Sequence, residues 1–174
     1  MAENLNYNVL YSKCYNDLES NCNLYGRLYN WSTAMDLPSN CNSNSCSSQI
    51  QTKHKGVCPS GWHIPSNAEW NVLVTFAGGS SVAGKKLKAN SRWNVSGGTD
   101  QYGFSALPGG TGANDDYFYD VGDLGYWWSA SEYEDSILYD GNHAYFWAME
   151  YDDDKLSYTD NSKSFLRSVR CLKD

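Results

Sequence analysis

The chain has 174 residues, a net charge of −7, fifteen glycines, four prolines, fourteen tyrosines and seven tryptophans. A chain of this length buries about 70% of its unfolded surface, enough for one domain with a sizeable core, and its aromatic and glycine content points to a β-rich or mixed fold. The acidic balance excludes a nucleic-acid partner as an expectation, and no apolar run approaches the ~20 residues that span a bilayer, so no membrane insertion is expected.

Met1 to Tyr15 reads as an extended segment, with Leu5, Tyr7, Val9 and Tyr11 at period two. Gly26 to Leu37 reads as a helix, because Leu28, Trp31 and Ala34 or Met35 recur at helical spacing and Pro38 ends the run. Ser39 to Thr52 is crowded with Ser and Asn, carries too little apolar surface to order itself, and is expected to be an exposed loop. The clearest commitment follows at Gly61 to Trp70. Pro65 keeps Ile64 extended, Ser66 and Glu69 have the spacing of a capping box, and a helix should run to about Ala77. Its apolar positions Trp70, Leu73, Val74 and Ala77 form one stripe, stopped by Gly78 and Gly79. Lys85, Lys86 and Lys88 are read as a solvated basic face. Gly103 to Gly110 starts as a short strand and breaks at Pro-Gly-Gly. Its Gly-rich end lacks the Lys-Ser/Thr of a phosphate loop.

Six cysteines in a chain rich in Asn, Ser and Tyr indicate an oxidising compartment and disulfides. About 15 pairings are formally open. Cys14 with Cys22 and Cys41 with Cys46 bracket short polar loops that such bridges would staple, which leaves Cys58 with Cys171. Zinc is the rival reading, against which stand the absence of any C-x-x-C and the positions of His54, His63 and His143. No signal-peptide pattern opens the sequence, so for an exported protein the chain is expected to be a mature domain or a piece of a larger one.

The blocks M-A-E-N-L-N-Y, C-Y-N with Y-G-R-L-Y, C-P-S-G-W-H-I-P-S, A-E-W, A-G-K-K-L-K, Y-G-F-S-A-L-P-G-G, W-W-S-A-S-E-Y and S-V-R-C-L-K-D together resemble the Fibrobacter succinogenes major paralogous domain along nearly the whole chain. That resemblance implies an exported bacterial protein, at the cell surface or secreted, with no established enzymatic activity. More remotely, Ile64-Pro65, Ala68-Glu69-Trp70 and Arg170-Cys171 resemble formylglycine-generating-enzyme-like proteins and their C-type lectin-like fold. This second resemblance implies an α+β architecture in which two helices flank a twisted, mainly antiparallel, disulfide-stapled sheet with adjacent chain ends, a layout that a Cys58–Cys171 bridge would suit. The same fold carries the diversified C-terminal surfaces of retroelement variable proteins.

Function is expected in the closing third. Residues 115–160 hold thirteen acidic side chains against one basic one, Lys155, together with half of the aromatics. Tyrosine mixed with Asn, Asp and Ser is the composition of recognition surfaces, because Tyr gives large contact area at low entropy cost. The candidate ligand-binding residues are Tyr133, Tyr139, His143, Tyr145, Trp147, Tyr151, Asp153 and Tyr158, with a glycan or a protein as partner. Trp127, Trp128 and part of the run from Tyr145 to Tyr151 are also apolar enough to be core strands. A calcium ion is a further possibility, held by Asp115, Asp116, Asp120 and Asp123 or by Asp152 to Asp154, although neither run matches an EF-hand. No cofactor is otherwise expected. Catalysis is not expected: no triad order or nucleophile elbow is present, some pair among thirteen acids meets glycosidase spacing by chance, and all six cysteines are assigned to bridges. The alternatives are a structural spacer domain of a larger cell-surface protein or, remotely, a glycan-processing enzyme.

Overall fold

The computed structural model describes residues 1–95, 97–113, 117–134 and 141–174. Asp115, Asp116 and Tyr139 of the sequence-based site lie outside them. In chain order the elements are β1 (Ser12–Lys13), α1 (Glu19–Tyr25), β2 (Leu28–Tyr29), α2 (Trp31–Ala34), β3 (Trp62–His63), α3 (Asn67–Phe76), α4 (Ser80–Leu87), β4 (Gly109–Gly112), β5 (Phe118–Val121), β6 (Leu124–Glu132), β7 (His143–Glu150), β8 (Ser157–Ser162), β9 (Arg167–Ser168) and β10 (Leu172–Lys173). The result is an α+β fold around a curled, mainly antiparallel sheet with three disulfides.

β6 is the spine of the sheet. Its G-Y-W-W-S-A run is apolar enough to be covered on both faces, and both are. One edge pairs antiparallel with β7, which pairs antiparallel with β8. The other edge meets β4 at Gly125 and β9 at Trp127, both parallel, so the sheet forks there. Alternation then divides the core. Trp127 and Trp147 face α3 and α4, where Trp70, Ala83 and Leu87 join them, while Trp128 and Phe146 face Tyr29, Trp31 and Ile64. Most buried indoles find acceptors: Trp127 donates to the Asn4 side-chain oxygen at 2.8 Å, Trp128 to the Tyr29 carbonyl at 2.8 Å, Trp31 to the Ser129 carbonyl at 3.0 Å, and Trp147 to the Asn67 side-chain oxygen at 2.9 Å, whereas the buried Trp70 indole nitrogen meets no acceptor among the described residues.

The capped helix follows its sequence. The Glu69 amide donates to the Ser66 hydroxyl at 3.4 Å, and the Ser66 amide donates to the Glu69 carboxylate at 3.0 Å. Trp70, Val74 and Ala77 are buried with Leu73 beside them. The Glu69 carboxyl lies below its usual value: burial opposes this, but the Ser66 amide, His63 and the Ser66 hydroxyl together outweigh it. A depressed carboxyl contributes stability above its unfolded value of 4.5 and loses it as pH falls through the lower folded value. Glu69→Gln should therefore be less stable than wild type near neutrality, and urea midpoints measured at successively lower pH should converge below that value.

Four local expectations are corrected. The Gly26 to Leu37 helix is instead β2 followed by the four-residue α2, because Leu28 and Tyr29 pair with Ser168 and Arg167, and Asn30 caps the helix by accepting from the Thr33 amide. The N-terminal segment is not a period-two strand: Leu5 is buried and bonds Val169 and Arg27, whereas Tyr7 and Tyr11 are exposed. Pro-Gly-Gly does not end a strand but begins β4. Gly110 sits at φ 67°, and a Cβ there would meet the Tyr15 ring at 2.8 Å and the Val121 amide at 2.8 Å, so only glycine lets the chain pass so close to β5. Lys88 is not solvated. It is 3% exposed, and its ammonium donates to the carbonyls of Glu150 at 2.8 Å and Asp153 at 2.9 Å, tying the end of α4 to the turn between β7 and β8. The helix before it, α4, is an element the sequence reading did not identify.

All six cysteines are bridged, Cys14–Cys22, Cys41–Cys46 and Cys58–Cys171. The Ser- and Asn-rich loop is ordered by more than its bridge. Glu132 at the end of β6 accepts from the Cys46 amide at 2.9 Å and the Ser45 hydroxyl at 2.6 Å, and it pairs with Lys163, whose ammonium also donates to Asn44 and Gly141 and stands 4.5 Å from the Trp31 ring. Lys163 is fully buried, and that burial pulls its ammonium below the usual value against the raising influence of Glu132.

Candidate functional site

The face of β7 that carries Trp147 continues outward past the edge of α3. His143, Tyr145 and Trp147 alternate onto this face. In β8, Tyr158 pairs with Trp147 and Asp160 with Tyr145, and the Tyr133 amide bonds the His143 carbonyl at 3.1 Å. The rings form a continuous ladder. Tyr133 meets Tyr145 edge-on at 5.4 Å, Tyr145 meets Tyr158 at 5.7 Å, Tyr158 meets Trp147 at 4.8 Å, and Trp147 stacks on Trp70 at 5.7 Å. Burial is uneven along this ladder, with the most exposed ring, Tyr158, directly beside buried Trp147. Trp147 is 1% exposed and Tyr158 49%, with Tyr133, His143 and Tyr145 half-buried between.

Beside the rings, His143 Nδ1 lies 2.8 Å from the Asp160 carboxylate. The Tyr145 hydroxyl is held above its usual pKa by partial burial and by the neighbouring Tyr158, Asp160 and Glu134, so it remains a neutral donor. Ring edges and faces, a carboxylate, an imidazole and phenol hydroxyls within one patch can stack a flat apolar face and hydrogen-bond the groups around it.

Five of the eight expected residues thus converge: Tyr133, His143, Tyr145, Trp147 and Tyr158. Trp147 needs correcting as a contact residue, since it is the buried foot of the ladder and not part of its surface. Tyr151 and Asp153 lie at the far end of β7. Tyr151 packs half-buried against the Trp70 cluster, and Asp153 pairs with Lys155 at 3.1 Å in the turn. Asp160 was not singled out, although its position two residues after Tyr158 placed it on the same face of any strand.

The acidic runs hold no assembled ion site among the described residues. Asp120 accepts from Tyr126, Asp123 from Asn94, and Asp153 and Asp154 pair with Lys155 and Lys85. One group with metal-ligating atoms drawn together is Cys14, Glu19 and Cys22, whose sulfurs are joined to each other.

A family model described as the Fibrobacter succinogenes major domain matches residues 1–173. The chain belongs to that family. No curated protein and no solved structure matches it. Within this Fibrobacter succinogenes major domain, the S-V-R-C block closes the core: Arg170 donates to the Asn4 side-chain oxygen at 2.9 Å and to the Phe104 and Ser105 carbonyls, and Cys171 bridges back to Cys58 ahead of β3. No helix among the described residues is long and apolar enough to cross a membrane.

The ladder divides into tyrosines that cover it and tryptophans that found it. Tyr145→Ala and Tyr158→Ala should each move the urea midpoint little, by about 0.5 kcal/mol for the more exposed Tyr158. Trp70→Ala or Trp127→Ala should cost about 3–5 kcal/mol through lost burial and a residual cavity. Trp62 and Phe104 are only half-buried and should fall between.

Proposed function

We propose that this domain is an exported, non-enzymatic binding module of C-type lectin-like fold, presenting Tyr133, Tyr145 and Tyr158 with His143 and Asp160 to a glycan or protein ligand. The observation that carries this reading is the half-exposed tyrosine ladder itself. A hydrophobic core would bury those rings, and a solvated acidic face would not assemble them edge to face across three strand segments. A sugar ring is the simplest occupant, stacking on an aromatic face while carboxylate and imidazole take its hydroxyls. Three disulfides fit a protein of an oxidising compartment, secreted or at the cell surface. A glycan array, with a pull-down from host or biomass extracts, tests the reading on the intact domain. Saturable binding of a defined ligand is expected, and clean blanks in both would favour a spacer domain.

A further inference from the structure

The segment L-R-S-V-R contains two buried arginines that are treated oppositely. Arg170 spends its guanidinium on four oxygen-bearing residues, Asn4, Met1, Phe104 and Ser105. Arg167 is 2% exposed, its Nε is buried with no acceptor, and among the described residues no side-chain hydrogen bond or ion pair reaches its guanidinium. Rings hold it instead: Phe146 lies 3.6 Å from its central carbon, Trp128 4.9 Å, Tyr126 5.0 Å and Phe165 5.6 Å. Ring faces attract a cation but do not accept its in-plane N–H groups. Burial lowers the guanidinium to about 9, with Tyr126 and Asp120 opposing, so it is still a cation at neutral pH. A buried charge is ordinarily paired.

The missing partner has a place to bind. Arg167 lines a cavity of about 290 Å³ on the opposite face of β7 from Tyr145, together with Tyr119, Asp120, Asn161 and Phe165. We propose that this cavity binds a sugar acid, a uronate residue whose carboxylate pairs with Arg167. The planar guanidinium fork matches a carboxylate in bidentate fashion. Asp120 selects against a more highly charged anion. One of its oxygens accepts from the Tyr126 hydroxyl at 2.9 Å, and its carboxylate on the cavity wall would oppose a phosphate dianion while accepting from sugar hydroxyls. The Asn161 amide adds a donor, and Tyr119 and Phe165 offer ring surface at the wall. The volume lies near the lower end of the roughly 300–1,000 Å³ typical of ligand pockets, which suits a single sugar ring.

The test is calorimetric or ligand-observed NMR titration of the intact domain with glucuronate and galacturonate, against glucose, galactose, N-acetylglutamate and inorganic phosphate. The uronates should bind saturably, with the neutral sugars weaker by about tenfold or more, because a charge-assisted bidentate pair is lost. Arg167→Lys keeps the charge and loses the fork, and should weaken uronate binding by about tenfold. Should that variant not fold, Asn161→Phe fills the cavity from its wall and should abolish uronate binding. Tyr145→Ala with Tyr158→Ala, on the other face, should leave the uronate titration unchanged, so the two sites fail independently. Equal binding of acidic and neutral sugars overturns the proposal. So does competition by phosphate, binding of N-acetylglutamate as tight as that of the uronates, or uronate binding that survives both variants.

Discussion

Lys163→Met destabilises the domain by about 3–5 kcal/mol, because it leaves Glu132 as an uncompensated buried charge. The pair is enclosed, with side-chain exposures of 0% and 2%, so water cannot replace the lost ammonium. The cost also spreads. Lys163 holds the Asn44 and Gly141 carbonyls, and Glu132 holds the Cys46 amide and the Ser45 hydroxyl, so the loop closed by Cys41–Cys46 should lose its seat on the sheet. Against a total stability of about 5–15 kcal/mol this is a large fraction. The double variant Lys163→Met with Glu132→Leu should recover much of the loss in urea unfolding, since exchanging a whole buried pair for apolar side chains is often close to neutral. Hydrogen exchange should show the amides of residues 44–46 opening in the single variant.

Removing the Cys58–Cys171 bridge by a double Cys→Ala change costs a similar amount for a different reason. The bridge spans a sequence separation of 113, and closing a loop of that size removes about 4–5 kcal/mol of unfolded-chain freedom in the chain-entropy model. It also anchors the pairing of β10 with β3, in which Leu172 meets His63 and Lys173 meets Trp62. The Cys41–Cys46 bridge, with a separation of 5, should be worth about 2 kcal/mol on the same reasoning. Urea midpoints of the two double variants should rank in that order.

What the sequence disclosed was what is decided locally. Ser66 and Glu69 cap their helix by contacts three residues apart, and Trp70, Val74 and Ala77 show its buried stripe without reference to the rest of the chain. The short polar loops between Cys14 and Cys22 and between Cys41 and Cys46 likewise identified their own bridges. Distant partners decided what the sequence hid. Leu28 has helical spacing to Trp31 yet forms a strand, because β9, nearly 140 residues later, supplies the backbone partners. Lys88 reads as one more surface lysine until the turn after β7 presents its carbonyls.

The candidate site shows the same division. Alternation alone puts Tyr145 and Trp147 on one face of a strand, and composition marks the region. Which of the two is covered depends on Trp70 arriving from α3 and Tyr158 from β8. Arg167 and Arg170 look equivalent in the sequence. They differ because Asn4 and the Phe104 carbonyl reach one and only rings reach the other.

The tyrosine ladder is tested most directly by taking the ligand that the wild-type domain binds on a glycan array or from an extract and titrating it against Tyr145→Ala with Tyr158→Ala. Binding should fall by about 30-fold or more, since truncating a central interface tyrosine costs about 2 kcal/mol or more, while the urea midpoint stays close to wild type. Undiminished binding by a folded double variant would contradict the assignment of this face as the recognition surface.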